Sequence, residues 1–276
     1  MLPTFLVIGA MKAGTTSLWE YLGSHPDVFM AEEKELNFFS GQWSRGLEWY
    51  ESHFEAAQGF KAIGEISPSY AMVHYFPAPE RIASVIPDAK LIYVLRDPIE
   101  RMVSAYLHWV AEGREQRPID QAFQEDLNYL HMSRYAYQLE QFLEHFPRER
   151  ILLVLSERLR DARSATMDEI FRFIGVDPAR ASGAGPERHR TADKRVRTPE
   201  AERRRETRLY RAAARIAPEP LKRLHHRMTT RPVADYATLS PELEARIKEA
   251  LAPDVARLRE FLPASFDGWG IVPPRS

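Results

Sequence analysis

The stretch from Phe5 to Glu20 constrains this chain more than any other. An apolar run ends in a glycine, a short loop carries Lys12, and Gly14 opens an amphipathic segment. A buried strand, a glycine-bounded loop and a helix start together hold a phosphate, because the loop N–H groups and the first helical turn point at the anion. The spacing follows the P-loop pattern G-x-x-x-x-G-K-[ST], except that Thr15 stands where the lysine belongs. The stretch therefore predicts a phosphate-binding loop whose lysine lies inside the loop.

Composition excludes several classes of function. The chain has 276 residues, is 44% hydrophobic and 28% charged, and carries a formal net charge of −1, which argues against a nucleic-acid binder. It contains no cysteine, so disulfides, thiolate zinc sites and cysteine nucleophiles are excluded. We find no secretory leader pattern and no long apolar run, and we therefore expect a cytoplasmic protein without a transmembrane segment.

Short, continuous apolar runs alternate with helical patterns along the chain. The runs predict strands at Phe5–Ile8, Val28–Met30, Ala62–Ile66, Leu91–Leu95 and Ile151–Leu155. Helical patterns occupy residues 16–22, 46–54, 79–86, 98–110, 135–146 and 168–174. This alternation predicts an α/β fold of the P-loop type, a three-layer α/β/α arrangement around a central parallel sheet. We expect a single domain over residues 1–276, with a basic covering segment at about 185–232 and a C-terminal helix at about 240–262.

The strand that ends at Leu95 meets a second feature that bears on function. Asp97, a proline at the first helical position and Glu100 form a helix start, with Asp97 as the N-cap. Arg96 occupies the position where a nucleotide-hydrolysing P-loop protein carries the aspartate that holds Mg²⁺. An arginine repels Mg²⁺ and attracts an anion, so we expect a second phosphate site at Arg96 and Ser104, without a metal. Sulfuryl transfer fits such a site, because the transferred group carries little charge.

These features resemble the sulfotransferases that use 3′-phosphoadenosine 5′-phosphosulfate (PAPS), and most of all the heparan sulfate N- and 3-O-sulfotransferase branch with its bacterial relatives. The resemblance extends from Phe5 to about Phe146 and more loosely to Leu159. It rests on five motifs in family-like order, at residues 8–16, 35–39, 46–50, 64–70 and 95–104. The resemblance implies the PAPS-sulfotransferase fold.

The resemblance also assigns roles to individual residues. It implies that the 5′-phosphosulfate is bound by Lys12, Ala13, Gly14, Thr15, Thr16 and Ser17, with Lys12 also acting in catalysis. It implies that Arg96 and Ser104 bind the 3′-phosphate, and that Glu35 is the base that deprotonates the acceptor, a role for which Glu32 and Glu33 compete. In the family, the segment before the C-terminal helix folds over the nucleotide. From the basic residues of that segment we select Arg195 as a nucleotide contact.

Acceptor contacts are expected at Lys34, Tyr70 and Tyr75, the tyrosines because ligands bind beyond the carboxyl ends of strands in α/β sheets. One position departs from the family pattern: glycan enzymes often have a lysine where this chain has Ile66. The missing cation is either absent or supplied from elsewhere, for example by Lys34.

Three functions remain open. The first is metal-independent sulfuryl transfer from PAPS to a hydroxyl, or secondarily an amine, of a glycan, lipid or metabolite, with 3′,5′-ADP as product. The second is an ATP-dependent small-molecule kinase with an atypical P-loop. The third is a non-catalytic module that binds a nucleotide or polyanion through the basic segment.

Overall fold

A computed structural model of the chain describes residues 1–181, 195–197, 230–232 and 238–273. The chain divides into two compact units. The first unit comprises Met1–Arg101, Leu130–Glu187 and Ile247–Ser276, and the second comprises Met102–Tyr129 and Arg188–Arg246. The expectation of one domain over residues 1–276 stays a prediction.

The first unit is built on a five-stranded parallel sheet. Its strands are β1 (Phe5–Gly9), β2 (Val28–Met30), β3 (Ala62–Ile66), β4 (Lys90–Leu95) and β5 (Ile151–Leu155). All five predicted strands are confirmed, and every pairing is parallel. The strand order is β2-β3-β1-β4-β5, so the direction of chain progression reverses at β1. Ligands of open α/β sheets bind at such a switch point, beyond the carboxyl ends of the strands.

The centre of the sheet is packed by the residues of β1, all of which are buried. Leu6 lies between Glu65 of β3 and Leu91 of β4 in the register. Gly64 of β3 faces the Phe5 ring, and a Cβ at position 64 would stand 2.2 Å from that ring. A larger residue would displace β1, because protein interiors are close-packed.

Ten α-helices occur in the described parts of the chain. They are α1 (Thr15–Gly23), α2 (Leu47–Ser52), α3 (Ala78–Val85), α4 (Pro98–Ala111), α5 (Ile119–Glu125), α6 (Asn128–His131), α7 (Tyr135–Leu143), α8 (Ser156–Asp161), α9 (Arg163–Ile174) and α10 (Pro241–Leu258). The predicted helices are confirmed apart from shifts at their ends, and the predicted α/β fold with a central parallel sheet is confirmed. None of the helices that the structure describes combines the length and apolar character needed to cross a membrane.

The second unit contains α5 and a two-stranded antiparallel ribbon, β6 (Arg195–Arg197) with β7 (Thr230–Pro232). Within its described residues, Arg117 Nη2 pairs with Glu115 Oε2 at 2.6 Å, and this contact lowers the pKa of Glu115 to about 2. Most of the basic segment predicted at about 185–232 lies outside the described residues.

Candidate nucleotide-binding and transfer site

The loop between β1 and α1 lies at the switch point of the sheet. Lys12 has φ 71° and Gly14 has φ 96°, so the chain turns twice through the left-handed region before the helix begins. The first helical hydrogen bond runs from Leu18 N to Gly14 O at 3.2 Å. The N–H groups of Thr15, Thr16 and Ser17 precede that bond, and the first N–H groups of a helix have no partner within it. They are the groups that the predicted phosphate site needs.

Two further properties of α1 favour an anion at its start. The N-cap is Gly14, which brings no capping side chain, and the first turn contains no acidic residue. Space beyond Gly14 is open, since a Cβ built there meets nothing within 4 Å. Ala13 is different: it is buried, and its N–H donates to Ala10 O at 3.1 Å within the loop. The Ala13 amide is therefore engaged in holding the loop rather than directed at a ligand.

Lys34 reaches the same helix start from the segment after β2. Its Nζ donates to Thr16 Oγ1 at 2.6 Å. Burial lowers the pKa of the Lys34 ammonium, while the nearby Glu35 and Glu20 carboxylates raise it. The structure thus brings a half-buried cation to the first turn of α1, although sequence reasoning placed Lys34 at the acceptor.

Arg96 reaches the loop from the end of β4. Its Nη1 donates to Lys12 O at 3.3 Å, and its Nε and Nη2 donate to Glu100 Oε2 at 3.2 and 2.8 Å. The guanidinium is partly exposed. Arg96 therefore contacts both the phosphate loop and the helix that follows it. Its positive charge, which we expect to bind a phosphate, is partly neutralised by the Glu100 carboxylate.

The helix after Arg96 begins as the sequence indicates. Asp97 Oδ1 accepts from Ile99 N at 2.8 Å and from Glu100 N at 2.9 Å, which confirms the N-cap. Ser104 lies on α4 and is 8% exposed. Its pairing with Arg96 at one phosphate stays a prediction.

Glu35, the candidate base, lies exposed in a tightly held turn. Glu35 has φ 62° and Asn37 has φ 52°, an uncommon conformation for residues other than glycine. Glu35 N donates to Ile66 O at 3.1 Å and Asn37 N donates to Ser67 Oγ at 2.9 Å, so the turn is bound to the end of β3. Ile66 itself is buried.

Tyr70 does not lie where the sequence suggested. Its ring is fully buried, and its hydroxyl donates to Glu65 Oε1 at 2.5 Å. Residues 68–71 form a turn of 3₁₀ helix shortly after β3, and the ring of Tyr70 points into the core. The predicted contact between Tyr70 and the acceptor is therefore wrong. Tyr70 instead donates a hydrogen bond to the buried Glu65 carboxylate.

Tyr75 is 50% exposed, as an acceptor contact requires. Its ring packs at 4.1 Å from the His74 ring, which in turn lies 5.6 Å from His131. Burial and the neighbouring His131 lower the pKa of His74. A contact between Tyr75 and the acceptor stays a prediction.

The remaining predicted contact is Arg195. Its backbone belongs to β6, and residues 182–194, which precede it, lie outside the described residues. Within the described ranges, no three histidine, aspartate or glutamate residues form a group that could hold a metal ion.

Sequence reasoning missed the network behind Glu35. Glu65 is buried and accepts hydrogen bonds from Tyr50, Ser67 and Tyr70. The one signal available was a glutamate inside an otherwise apolar strand, because a buried carboxylate requires partners.

The family to which the chain belongs follows from comparison with known proteins. A family model described as "Sulfotransferase domain" matches residues 2–197. The chain is a member of this sulfotransferase family.

Individual relatives agree with this assignment. The chain is 37% identical over 129 residues to "Membrane-associated sulfotransferase kil1" of Dictyostelium discoideum, covering 45% of this chain and 27% of the relative. It is 32% identical over 189 residues to the human "Heparan sulfate glucosamine 3-O-sulfotransferase 3B1", covering 63% and 46%. It is 30% identical over 198 residues to the mouse "Bifunctional heparan sulfate N-deacetylase/N-sulfotransferase 4", covering 64% and 23%. The chain thus spans less than half the length of each of these relatives.

A solved structure supports the fold. A sulfotransferase from Alicyclobacillus acidocaldarius superposes with a TM-score of 0.71 at 23% identity, covering 98% of this chain and 99% of that one. At this identity, the likeness bears on the fold alone.

Proposed function

We propose that this chain transfers the sulfuryl group of PAPS to a hydroxyl group of an acceptor and releases 3′,5′-ADP. One observation supports the proposal most. Three cationic residues meet one short loop: Lys12 lies within it, Lys34 Nζ binds Thr16 Oγ1, and Arg96 Nη1 binds Lys12 O. Cations and helix N–H groups close to a transferred group stabilise the negative charge that develops during transfer.

The donor side of the reaction belongs to the loop and its neighbours. The N–H groups of Thr15, Thr16 and Ser17 bind the 5′-phosphate oxygens, as the start of α1 favours an anion. Arg96 contributes charge for the 3′-phosphate, together with Ser104.

The transfer itself makes one bond and breaks one. The Glu35 carboxylate takes the proton of the acceptor hydroxyl, because an alcohol is a weak nucleophile until a base removes its proton. The hydroxyl oxygen forms the new bond to sulfur, while the bond between sulfur and the bridging 5′-phosphate oxygen breaks. Lys12 stabilises the charge that develops on that oxygen. Lys34, next to the base in the sequence, contributes the second cation. It takes the role of the lysine that related glycan enzymes often have at the position of Ile66.

The proposed acceptor is a glycan with anionic groups. The segment after Glu35 carries indole rings that stack with guanidinium groups: Arg45 lies 4.2 Å from the centre of the Trp49 ring, and Arg81 lies 5.1 Å from the centre of the Trp43 ring. Trp43 is 37% exposed. Sugar faces pack on aromatic rings, and guanidinium groups bind carboxylates and sulfates in a bidentate manner. Two of the relatives are named for action on heparan sulfate, which supports the same class.

Two steps test this function. Thermal-shift measurements compare 3′,5′-ADP with ATP, and the purified chain is then incubated with PAPS and separate pools of glycans, lipids and small phenols. Stabilisation by 3′,5′-ADP and an acceptor that gains the mass of one sulfuryl group are expected, with turnover unaffected by EDTA. Phosphorylation by ATP that EDTA abolishes would identify a kinase instead.

A substitution tests the assignment of the base. Glu35→Gln keeps the shape of the side chain and removes the proton acceptor, so turnover is expected to fall by about 100-fold or more. Binding of 3′,5′-ADP should stay at the wild-type level. If Glu35→Gln retained full turnover, the base would be another group. If the wild-type chain bound 3′,5′-ADP but sulfated none of the acceptor pools, the result would favour a non-catalytic nucleotide-binding module.

A further inference from the structure

A buried carboxylate lies directly behind the turn that carries Glu35. Glu65 is 1% exposed and lies within β3, whose other residues are apolar or glycine. Its Oε1 accepts from Tyr50 at 3.1 Å and from Tyr70 at 2.5 Å, and its Oε2 accepts from Ser67 at 2.7 Å. All three donors are neutral hydroxyl groups. An ionised carboxylate only accepts hydrogen bonds, so it fixes the direction of each hydroxyl that it contacts.

Ser67 connects Glu65 to the turn at residues 35–37 by two hydrogen bonds. A hydroxyl has one hydrogen to donate, and Ser67 donates it to Glu65. A lone pair of the same oxygen accepts from Asn37 N at 2.9 Å. The position of Ser67 is set from behind as well, since its N–H donates to Val7 O of β1 at 3.1 Å and its side chain is fully buried. The hydroxyl therefore presents an acceptor to Asn37 from a fixed place in the core.

The turn at residues 35–37 needs such anchors. Glu35 and Asn37 both adopt positive φ, which costs free energy in residues other than glycine and persists only where the surroundings impose it. Glu35 N bonds to Ile66 O, and the Asn37 side chain accepts from Ser69 Oγ at 2.5 Å. Within the turn, Asn37 Nδ2 donates to Glu35 O at 2.6 Å, and the Ser67 bond to Asn37 N holds the backbone directly beyond Glu35.

We propose that Glu65 is a positioning residue for sulfuryl transfer: through the Ser67 hydroxyl it holds the 35–37 turn so that the exposed Glu35 carboxylate faces the acceptor hydroxyl. This inference rests on the proposed function. Glu65 touches no reacting atom, and its effect reaches the reaction through Ser67 and Asn37.

Ser67→Ala breaks the connection with the least change in volume, and Tyr50→Phe is the matched control. Tyr50→Phe also removes one hydroxyl from Glu65 but keeps the ring that stacks on Phe38, and the hydroxyl it removes does not bond to the turn. Misplacement of a catalytic group by about 1 Å costs on the order of 100-fold in rate, so kcat of Ser67→Ala should fall by about 10- to 100-fold. Its KM for PAPS and its affinity for 3′,5′-ADP should match the wild type. Tyr50→Phe should keep the wild-type kcat.

Hydrogen exchange reports on the turn without any acceptor. The Asn37 amide should exchange faster in Ser67→Ala than in the wild-type chain, and at the wild-type rate in Tyr50→Phe. Glu65→Gln serves as a second variant of equal volume: its amide cannot accept from Ser67 and all its present donors at once, so kcat and Asn37 protection should both fall.

The outcomes separate this inference from the proposed function. Equal losses of kcat in Ser67→Ala and Tyr50→Phe would mean that Glu65 only stabilises the fold, and would overturn the positioning role. Wild-type exchange at Asn37 in Ser67→Ala would overturn it as well, whether or not an acceptor is known. A wild-type chain that binds neither 3′,5′-ADP nor PAPS would refute the proposed function, and the inference with it.

Discussion

Lys34 and Thr16 are joined by a hydrogen bond of 2.6 Å between Nζ and Oγ1, across 18 residues of chain. This bond places an ammonium group at the first turn of α1, where helix N–H groups already favour an anion. The segment after β2 therefore adds charge to the phosphate loop, a contact that neither segment reveals by itself.

The position of Lys34 predicts a difference between two nucleotides. PAPS and 3′,5′-ADP differ by the sulfuryl group, and we expect Lys34 to act on that group. Lys34→Met should weaken PAPS binding by about 10-fold or more, the value of one hydrogen bond to a charged group. Binding of 3′,5′-ADP should change little.

Titration calorimetry with both nucleotides measures this difference. Lys61→Met is the control, because Lys61 is an exposed lysine that pairs with Asp27. Equal weakening of both nucleotides by Lys34→Met would place Lys34 at a phosphate instead.

Much of the fold could be predicted from the sequence for a physical reason. A strand buried on both faces must be apolar along its whole length, and the run from Leu91 to Leu95 shows this directly. Asp97 followed by a proline predicts the start of α4 equally well, because aspartate favours the N-cap and proline favours the first helical position.

The details of the site depend on contacts between distant segments. The bond from Arg96 to Lys12 O spans 84 residues, and no local pattern predicts it. Tyr70 illustrates the opposite error: a tyrosine just beyond a strand fits a ligand contact, yet it turns inward because Glu65 requires a donor. The turn with positive φ at Glu35 and Asn37 is likewise held by backbone bonds to residues 66 and 67, which no local pattern predicts.

Arg96 yields a second prediction. Its guanidinium makes bonds in two directions, to Lys12 O and to Glu100, which a lysine cannot reproduce. Arg96→Lys should weaken 3′,5′-ADP binding by about 10-fold, although the positive charge remains. Calorimetry again measures the loss. Glu100→Gln is the comparison: it removes the competing carboxylate and should bind 3′,5′-ADP at least as tightly as the wild type. Undiminished binding by Arg96→Lys would show that the fork geometry is irrelevant.

Gly14 allows strain and binding to be separated. It has φ 96° and Gly59 has φ 92°, and a Cβ at either position meets nothing within 4 Å. Alanine at each should therefore cost only the backbone term, about 1 kcal/mol of unfolding free energy. Urea unfolding should show similar losses for Gly14→Ala and Gly59→Ala. Only Gly14→Ala should weaken 3′,5′-ADP binding, because the positive φ of Gly14 shapes the phosphate loop. Equal nucleotide binding by both variants would contradict a role for the Gly14 conformation.

Glu65 predicts how stability depends on pH. Burial raises the pKa of Glu65 above the model-compound value of 4.5, against the lowering effect of its three hydroxyl donors. Between 4.5 and the raised value, the folded chain holds a proton that the unfolded chain has released, so stability falls as pH rises through this window. The free energy of unfolding of the wild type minus that of Glu65→Gln should therefore decrease from about pH 4 upward and then level off.

Glu115 provides the opposite slope as a control. Its pKa is lowered to about 2, chiefly by the Arg117 hydrogen bond, so its contribution is complete above 4.5 and is lost as pH falls toward 2. The same difference measured with Glu115→Gln should therefore grow as pH rises from about 3 to about 5. Urea unfolding at closely spaced pH values gives both curves. A Glu65 difference that stayed constant from about pH 4 to pH 8 would mean that the folded protein does not perturb this carboxylate.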